Sequence, residues 1–173
     1  NIKDKLGISS VGSLKLLRSL SDKNILTSEK IGNAIFYKPN LKNEYVLKLL
    51  ELVLLDNSKQ STYVKGWVYD LKKFIKTTKA ILLFGSILKK GKDAGDVDVC
   101  FILRNAKDYT KLQSEIDAMN KHNRLKIHPL YLTKEEFEKK LKGKDKPLIE
   151  SIKNCVVVHG VELFVKVLKN VQS

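Results

Sequence analysis

Two apolar runs, at 80–84 and 97–103, the second broken only by Asp98, are the feature that most restricts how this chain folds. Continuous apolar runs of this length are typical of strands buried on both faces of a sheet. Gly85-Ser86 directly follows the first run, and Asp96 and Asp98 stand where the second begins. Alternate residues of a strand point to the same face, so we expect the two aspartates side by side.

A pair of neighbouring carboxylates needs a cation or a shared proton. Two like charges about 4 to 6 Å apart repel by roughly 3 to 4 kcal/mol at an effective dielectric near 20. Carboxylate oxygens suit Mg²⁺, which also binds substrate phosphates. Gly85 lets the backbone approach a ligand, and Ser86 offers a hydroxyl and an N–H at an expected helix start. A solvated acidic turn is the alternative interpretation of an isolated Asp-x-Asp.

The order apolar strand, Gly85-Ser86, about ten residues and Asp96-x-Asp98 resembles the DNA polymerase beta-type nucleotidyltransferase superfamily. The likeness covers roughly residues 61–169, and the small size resembles its minimal nucleotidyltransferase branch. The resemblance implies transfer of a nucleoside monophosphate from a triphosphate, with ATP expected, to an acceptor hydroxyl. It makes Asp96 and Asp98 catalytic residues and Mg²⁺ ligands. The triphosphate would be held by Gly85, Ser86 and Lys92. Lys89 and Lys90 of the same loop could assist electrostatically, and a solvated basic loop is the alternative for each of the three lysines.

One part of that family's pattern is missing. Active members usually place a third carboxylate on the strand after the crossover helix, but the expected strand at 125–132 has no acidic residue. His128 lies there, and a lone histidine beside a proline is more often packed or hydrogen-bonded than metal-bound. Losing one of two metals would remove much of the transition-state stabilisation. Two functions stay open: an active transferase, and a catalytically weak or inactive regulator that senses nucleotide or binds a partner.

The first forty residues have a different pattern. A short helix is expected over 2–8, followed by a helix that Ser9 or Ser10 caps and whose leucine stripe continues through Leu26. Gly32-Asn33 then predicts a β-hairpin within 27–37.

This order resembles the winged helix-turn-helix regulators of archaea and bacteria, which implies binding to double-stranded DNA. The matching segments are Leu6–Ser9, Leu14–Leu20, Asn24–Leu26, Gly32-Asn33 and Tyr37–Asn40. Candidate DNA contacts on the second helix and the wing are Ser13, Lys15, Arg18 and Lys30. A solvated helix face is the alternative for each. The resemblance also implies a helix before Ile2, and since the sequence has no initiator methionine we expect it to be truncated.

Composition favours a polyanionic partner. Lysine and arginine outnumber the acidic residues 33 to 19, which gives a formal charge of +14. The alternative is a proteome that is rich in lysine and glutamate together, but such enrichment raises both charges and does not account for an excess of one. Nucleic acid or nucleotide is therefore the expected ligand. The two cysteines, Cys100 and Cys155, are expected to be buried free thiols in a reducing cytoplasm. No apolar run reaches the roughly 18 residues of a membrane span, so we predict a soluble cytoplasmic protein with no membrane partner.

An apolar helix expected over Leu41–Leu55 separates these regions. Its apolar residues occur on nearly every face and must be covered, either by the two domains or by a second subunit, and we favour a homodimer. We therefore predict an α+β chain with a winged helix at 1–40 that lacks its first helix, a linker or dimer helix at 41–60, and an α/β nucleotidyltransferase-like domain with a small mixed sheet at 61–173. The minimal nucleotidyltransferase resemblance also suggests a helical partner protein.

Overall fold

The computed structural model describes residues 2–172 and has a mixed α+β fold. The chain forms two compact units, Asn1–Leu50 (unit 1) and Glu51–Ser173 (unit 2). The described residues form nine α-helices and two small sheets. None of these helices is long and apolar enough to cross a membrane.

Unit 1 consists of short helices and one hairpin. Its elements are α1 (Ile2–Leu6), α2 (Ser10–Asp22), β1 (Leu26–Ile31), β2 (Ala34–Pro39) and the first part of α3 (Glu44–Leu55), within which the two units divide. As predicted, Ser9 caps α2, since its hydroxyl accepts a hydrogen bond from the N–H of Gly12 at 3.0 Å. The hairpin also forms as predicted, with Ile31 paired to Ala34 across Gly32-Asn33.

Three helix limits differ from the sequence expectation. The first helix ends at Leu6 and not at residue 8. The second helix ends at Asp22 and does not reach Leu26, because Asn24 adopts a left-handed conformation (φ 58°) that stops it and Leu26 begins β1. The third helix begins at Glu44 and not at Leu41. Asn43 precedes it, and its side-chain oxygen accepts a hydrogen bond from the N–H of Tyr45 at 3.0 Å.

Unit 2 contains the remaining elements. Its strands are β3 (Thr78–Phe84), β4 (Asp96–Leu103), β5 (Lys126–Leu132) and β6 (Val156–His159). Its α-helices are α4 (Thr62–Leu71), α5 (Ile87–Lys90), α6 (Asp108–His122), α7 (Lys134–Lys142), α8 (Lys146–Ile152) and α9 (Val161–Gln172), with 3-10 turns at Lys72–Lys76 and Gly91–Asp93. The predicted capping box of Thr133 and Glu136 starts α7, and Asp145 caps α8.

The unit 2 sheet is small and mixed, with strand order β5-β4-β3-β6. The central strand β3 runs antiparallel to β4 and β6, whereas β4 and β5 are parallel and are joined through α6. Side chains on one face of β3 and β4, such as Ile81 and Phe101, pack with apolar residues of α4 and α6. Residues of the opposite face, such as Leu82 and Ile102, are also fully buried. Burial on both faces explains why these strands are apolar without alternation.

The two cysteines are free thiols in different surroundings. Cys100 is buried in β4, and burial raises the pKa of its thiol to about 12. Cys155 is only partly buried, and burial raises the pKa of its thiol to about 11. Burial thus disfavours the thiolate form of both cysteines.

Candidate metal and phosphate site

Strand pairing brings three side chains of the types that can ligate a metal together at one end of the sheet. Asp98 of β4 is paired with Phe84 of β3 on one side and with His128 of β5 on the other. The distance from His128 Nδ1 to Asp98 Oδ1 is 3.4 Å. Potential ligand atoms of Asp96, Asp98 and His128 all lie within 4.8 Å of one another. The two aspartates thus lie side by side as expected, and the histidine joins them.

Gly85 is required at its position for two reasons. Its φ is +82°, a conformation that residues with a side chain rarely adopt. A Cβ built on it would also lie only 2.0 Å from Asp98 Oδ2. The Gly85-Ser86 and Asp96-x-Asp98 segments are therefore in direct contact, and the absence of a side chain at Gly85 makes the room for the Asp98 carboxylate.

The electrostatics of the cluster favour an added positive charge. Burial raises the pKa of Asp98, and the neighbouring charge of Asp96 raises it further. A hydrogen bond and the charge of His128 act in the opposite direction and lower the pKa of Asp98. The Asp98 side chain is 26% exposed and that of His128 is 76% exposed, so solvent ions reach both.

A cavity of about 950 Å³ opens beside Asp98. This volume is within the range of small-molecule binding sites. Besides Asp98, its lining includes Gly85, Ser86, Lys89, Lys90, Ser151 and Asn154. A carboxylate of the metal-ligand cluster and two lysines therefore face one space, an arrangement suited to a phosphorylated ligand and its cation.

The structure changes the expected roles of some phosphate-site residues. Lys92 is exposed in the 3-10 turn Gly91–Asp93 and does not line the cavity, whereas Lys89 and Lys90 do. Ser86 lines it as expected, but α5 is a single turn of four residues and is too short to provide a helix dipole. The Ser86 side chain makes no capping hydrogen bond to that turn.

Sequence reasoning missed the lining residues that come from α8 and the segment after it. Ser151 and Asn154 reach the cavity because β6, which follows them, pairs with β3 next to Gly85. No local pattern marks these residues. The one available signal was the short apolar run that predicts β6, and it does not specify which strand β6 pairs with.

The candidate DNA contacts of unit 1 need one correction. Ser13 was expected to be exposed, but it is buried and its hydroxyl donates a hydrogen bond to the Ser9 carbonyl at 3.0 Å. The Ser13 hydroxyl points to the preceding turn of the chain, so it has no free surface for contact with a DNA base. Lys15 and Arg18 are exposed on α2, and Lys30 is exposed on β1.

The candidate site thus consists of the Asp96, Asp98 and His128 side chains, with Gly85 in contact with Asp98. A cavity that Lys89 and Lys90 line adjoins them. Aspartate and histidine side chains are suited to divalent cations. In comparisons with known proteins, no protein-family model, no curated protein and no solved structure matched this chain.

Proposed function

We propose that this chain is a DNA-binding protein whose unit 2 transfers a nucleoside monophosphate from a nucleoside triphosphate, with ATP expected, to an acceptor hydroxyl. One observation carries the proposal: Asp98 belongs both to the ligand cluster with Asp96 and to the lining of a cavity that Lys89 and Lys90 also face. Phosphoryl transfer depends mainly on positioning and on neutralising charge, and these residue types provide both.

Each side chain has a distinct part in this reaction. Asp96 and Asp98 would hold Mg²⁺, which when bound neutralises charge on the phosphate oxygens. Lys89, Lys90 and the Ser86 hydroxyl orient the triphosphate in the cavity. The acceptor oxygen forms a bond to the α-phosphorus while the bond from the α-phosphorus to the bridging oxygen breaks. Pyrophosphate leaves, and the acceptor proton passes to solvent.

A second candidate function is a regulator that binds nucleotide without transferring it. His128 favours this alternative, because it lies where the nucleotidyltransferase resemblance leads us to expect a third carboxylate. An imidazole brings no negative charge to the site and so holds a second Mg²⁺ poorly.

The two functions are separated by measuring pyrophosphate release and nucleotide binding in the wild type, with a variant that lacks both carboxylates as the test of the site. In Asp96→Ala/Asp98→Ala we expect Mg²⁺-dependent pyrophosphate release to fall to background, measured with each of the four ribonucleoside triphosphates. Asp93→Ala is the matched control, since Asp93 is an exposed acid of the 3-10 turn that precedes β4 and lies outside the cluster. If the wild-type chain releases no pyrophosphate but binds a fluorescent ATP analogue, the transferase is rejected in favour of the regulator.

The proposal of DNA binding rests on exposed cations of unit 1. Residues 1–50 contain nine lysines and arginines against four acidic residues. Phosphate contacts make affinity fall steeply with salt. We expect Arg18→Ala and Lys30→Ala each to reduce the slope of log affinity against log salt by about 1 in gel-shift titrations. Ser13→Ala should leave the slope unchanged, and an affinity of the wild type that does not vary with salt would exclude this mode of binding.

We also propose that α3 forms a homodimer contact. Tyr45, Leu49, Leu52 and Val53 recur at helical spacing on this helix, and each is between 41% and 66% exposed. Exposed apolar residues at such spacing indicate an interface. A second copy of the helix offers the same stripe, and a two-fold pair suits a protein that reads two DNA half-sites.

A further inference from the structure

Resting on the site proposed above, we infer that Asp96, Asp98 and His128 together bind a divalent transition-metal ion, with Mn²⁺ as its representative, in preference to Mg²⁺. In this arrangement His128 is the third ligand. The inference concerns which ion the site selects, and it applies whether unit 2 transfers nucleotides or only binds them.

The backbone fixes His128 beside the aspartates. Parallel pairing of β4 and β5 places Asp98 opposite His128 in a register that continues over the whole pair of strands, from Asp96 opposite Lys126 to Ile102 opposite Leu132. The sheet therefore holds the backbone of His128 next to Asp98, on the same face as both aspartates. Its side chain is exposed, and Nδ1 already lies 3.4 Å from Asp98 Oδ1.

The distances suit one shared ion. Metal–oxygen and metal–nitrogen bonds of about 2.0 to 2.2 Å place any two ligands of one ion no more than about 4.4 Å apart. The three ligand atoms are within 4.8 Å of one another, so side-chain movements of less than about 1 Å bring them to bonding distance. The space at Gly85, where a Cβ would lie 2.0 Å from Asp98 Oδ2, leaves room for the Asp98 carboxylate in this position.

The ligand set selects the ion. Mg²⁺ is a hard ion that takes oxygen ligands and retains water, so an imidazole adds little to its binding. Transition-metal ions accept both carboxylate oxygen and imidazole nitrogen, and of these Mn²⁺ also suits the oxygens of phosphates. Replacing a carboxylate by His128 therefore shifts the preference away from Mg²⁺, and the net charge of the ligand set is −2 with a neutral imidazole.

The test measures metal binding by the full chain without nucleotide. Free Mn²⁺ is followed by electron paramagnetic resonance, and Mg²⁺ is added as a competitor. We expect one Mn²⁺ per chain, bound at least about tenfold more tightly than Mg²⁺ (about 1.4 kcal/mol). Co²⁺ should give visible absorption bands whose intensity depends on His128.

Variants of His128 identify the third ligand. Removing even an indirect partner of a metal ligand lowers affinity about 10- to 100-fold, so His128→Gln should weaken Mn²⁺ binding at least about tenfold. His128→Asp should reverse the preference toward Mg²⁺, because all three ligands are then carboxylates. His122→Gln is the matched control, an exposed histidine at the end of α6 and outside the cluster.

The inference is overturned if the wild type binds no Mn²⁺, if Mn²⁺ and Mg²⁺ bind equally, or if His128→Gln keeps the wild-type Mn²⁺ affinity. Thermal melting of each variant confirms that it is folded, which the exposure of His128 leads us to expect. Selective Mn²⁺ binding without pyrophosphate release in Mn²⁺ would reject the transferase and keep this inference. Mg²⁺-dependent release by His128→Gln at the wild-type rate would support the transferase and count against His128 as a ligand.

Discussion

The two units of this chain bury their apolar residues to very different extents. In unit 2 the central strands β3 and β4 contain fully buried side chains on both faces, such as Leu82 and Phe101. Among the described side chains of unit 1, the only buried apolar ones are Leu41, Val46 and Leu47. The leucine-rich α2 and the hairpin leave large apolar residues exposed, namely Val11, Leu14, Leu16, Ile31, Ile35 and Phe36.

This difference shows that a correct local pattern does not by itself make a sealed core. Both units form helices and strands that the sequence pattern predicts, but unit 2 buries many more large apolar side chains than the described part of unit 1. In unit 2 the buried apolar side chains stabilise the sheet that carries Asp96, Asp98 and His128.

The largest expected effect compares a phenylalanine from each unit. Phe101 is fully buried and packs against the rings of Phe74 and Tyr131 at centroid distances of 5.6 and 5.9 Å. Phe101→Ala should lower the free energy of unfolding by about 3 to 5 kcal/mol. Phe36→Ala, at a position 56% exposed on β2, should change it by less than about 0.5 kcal/mol.

Urea unfolding measures both variants. The single tryptophan, Trp67, is buried in the unit 2 core, so its fluorescence reports that unit, and circular dichroism follows the whole chain. Equal losses of stability in the two variants would contradict the comparison of the units.

The next effect concerns the close contact between Gly85 and the Asp98 carboxylate in unit 2. Gly85→Ala should cost about 1 to 3 kcal/mol through the strained positive φ, and it should also displace the Asp98 carboxylate and abolish Mn²⁺ binding. The control is Gly95→Ala, because a Cβ at Gly95 meets nothing within 4 Å. Unfolding measurements and Mn²⁺ titration of both variants check this, and metal binding retained in Gly85→Ala would show that the contact with Asp98 has no role.

A smaller effect tests the exposed apolar face of α3. Leu52→Glu should raise the dimer dissociation constant at least about tenfold, equivalent to about 1.4 kcal/mol, because a charge would enter an apolar contact. Light scattering over a range of concentrations measures the change. Tyr69→Glu alters an even more exposed residue of α4 and should leave the oligomeric state unchanged. A wild-type chain that is monomeric at every concentration would refute the dimer.

The smallest effect is a pH dependence of unit 2. Burial, assisted by the charge of Arg104, lowers the pKa of His159 from its ordinary value of 6.5. The imidazole of His159 therefore binds a proton more readily in the unfolded chain than in the folded one. Its contribution to the stability of the fold is complete above pH 6.5 and is lost as the pH falls toward the lowered pKa of the folded state.

Thermal melting from about pH 7.5 to 5 detects this loss before carboxylates with ordinary pKa values near 4 begin to protonate. His159→Gln should flatten the profile over that range, whereas His122→Gln should retain the wild-type slope. An identical slope in wild type and His159→Gln would assign the acid sensitivity to other groups.

Much of the fold could be predicted because it depends on neighbouring residues. The apolar runs at 80–84 and 97–103 became β3 and β4, and Thr133 with Glu136 became the capping box of α7. Predictions of exposure and of helix ends failed where the position of a residue on its helix or strand, and not its chemical type, decides what surrounds it. Ser13 is polar, but its place on α2 directs the hydroxyl to the preceding turn, and the end of α2 was set by the conformation of Asn24.

The sequence by itself determined the excess of positive charge through its composition. It also determined most of the secondary structure and the position of two carboxylates on one strand face, because these follow from spacing along a few residues. Only the tertiary structure decided that Asp98 fits against Gly85, that His128 completes the ligand cluster, and that Lys89 and Lys90, not Lys92, face the cavity. Those contacts depend on which strands pair, in which direction and in which register. No local pattern in a single chain specifies that choice, since backbone hydrogen bonds are alike at every register and only the packing of the whole sheet distinguishes them.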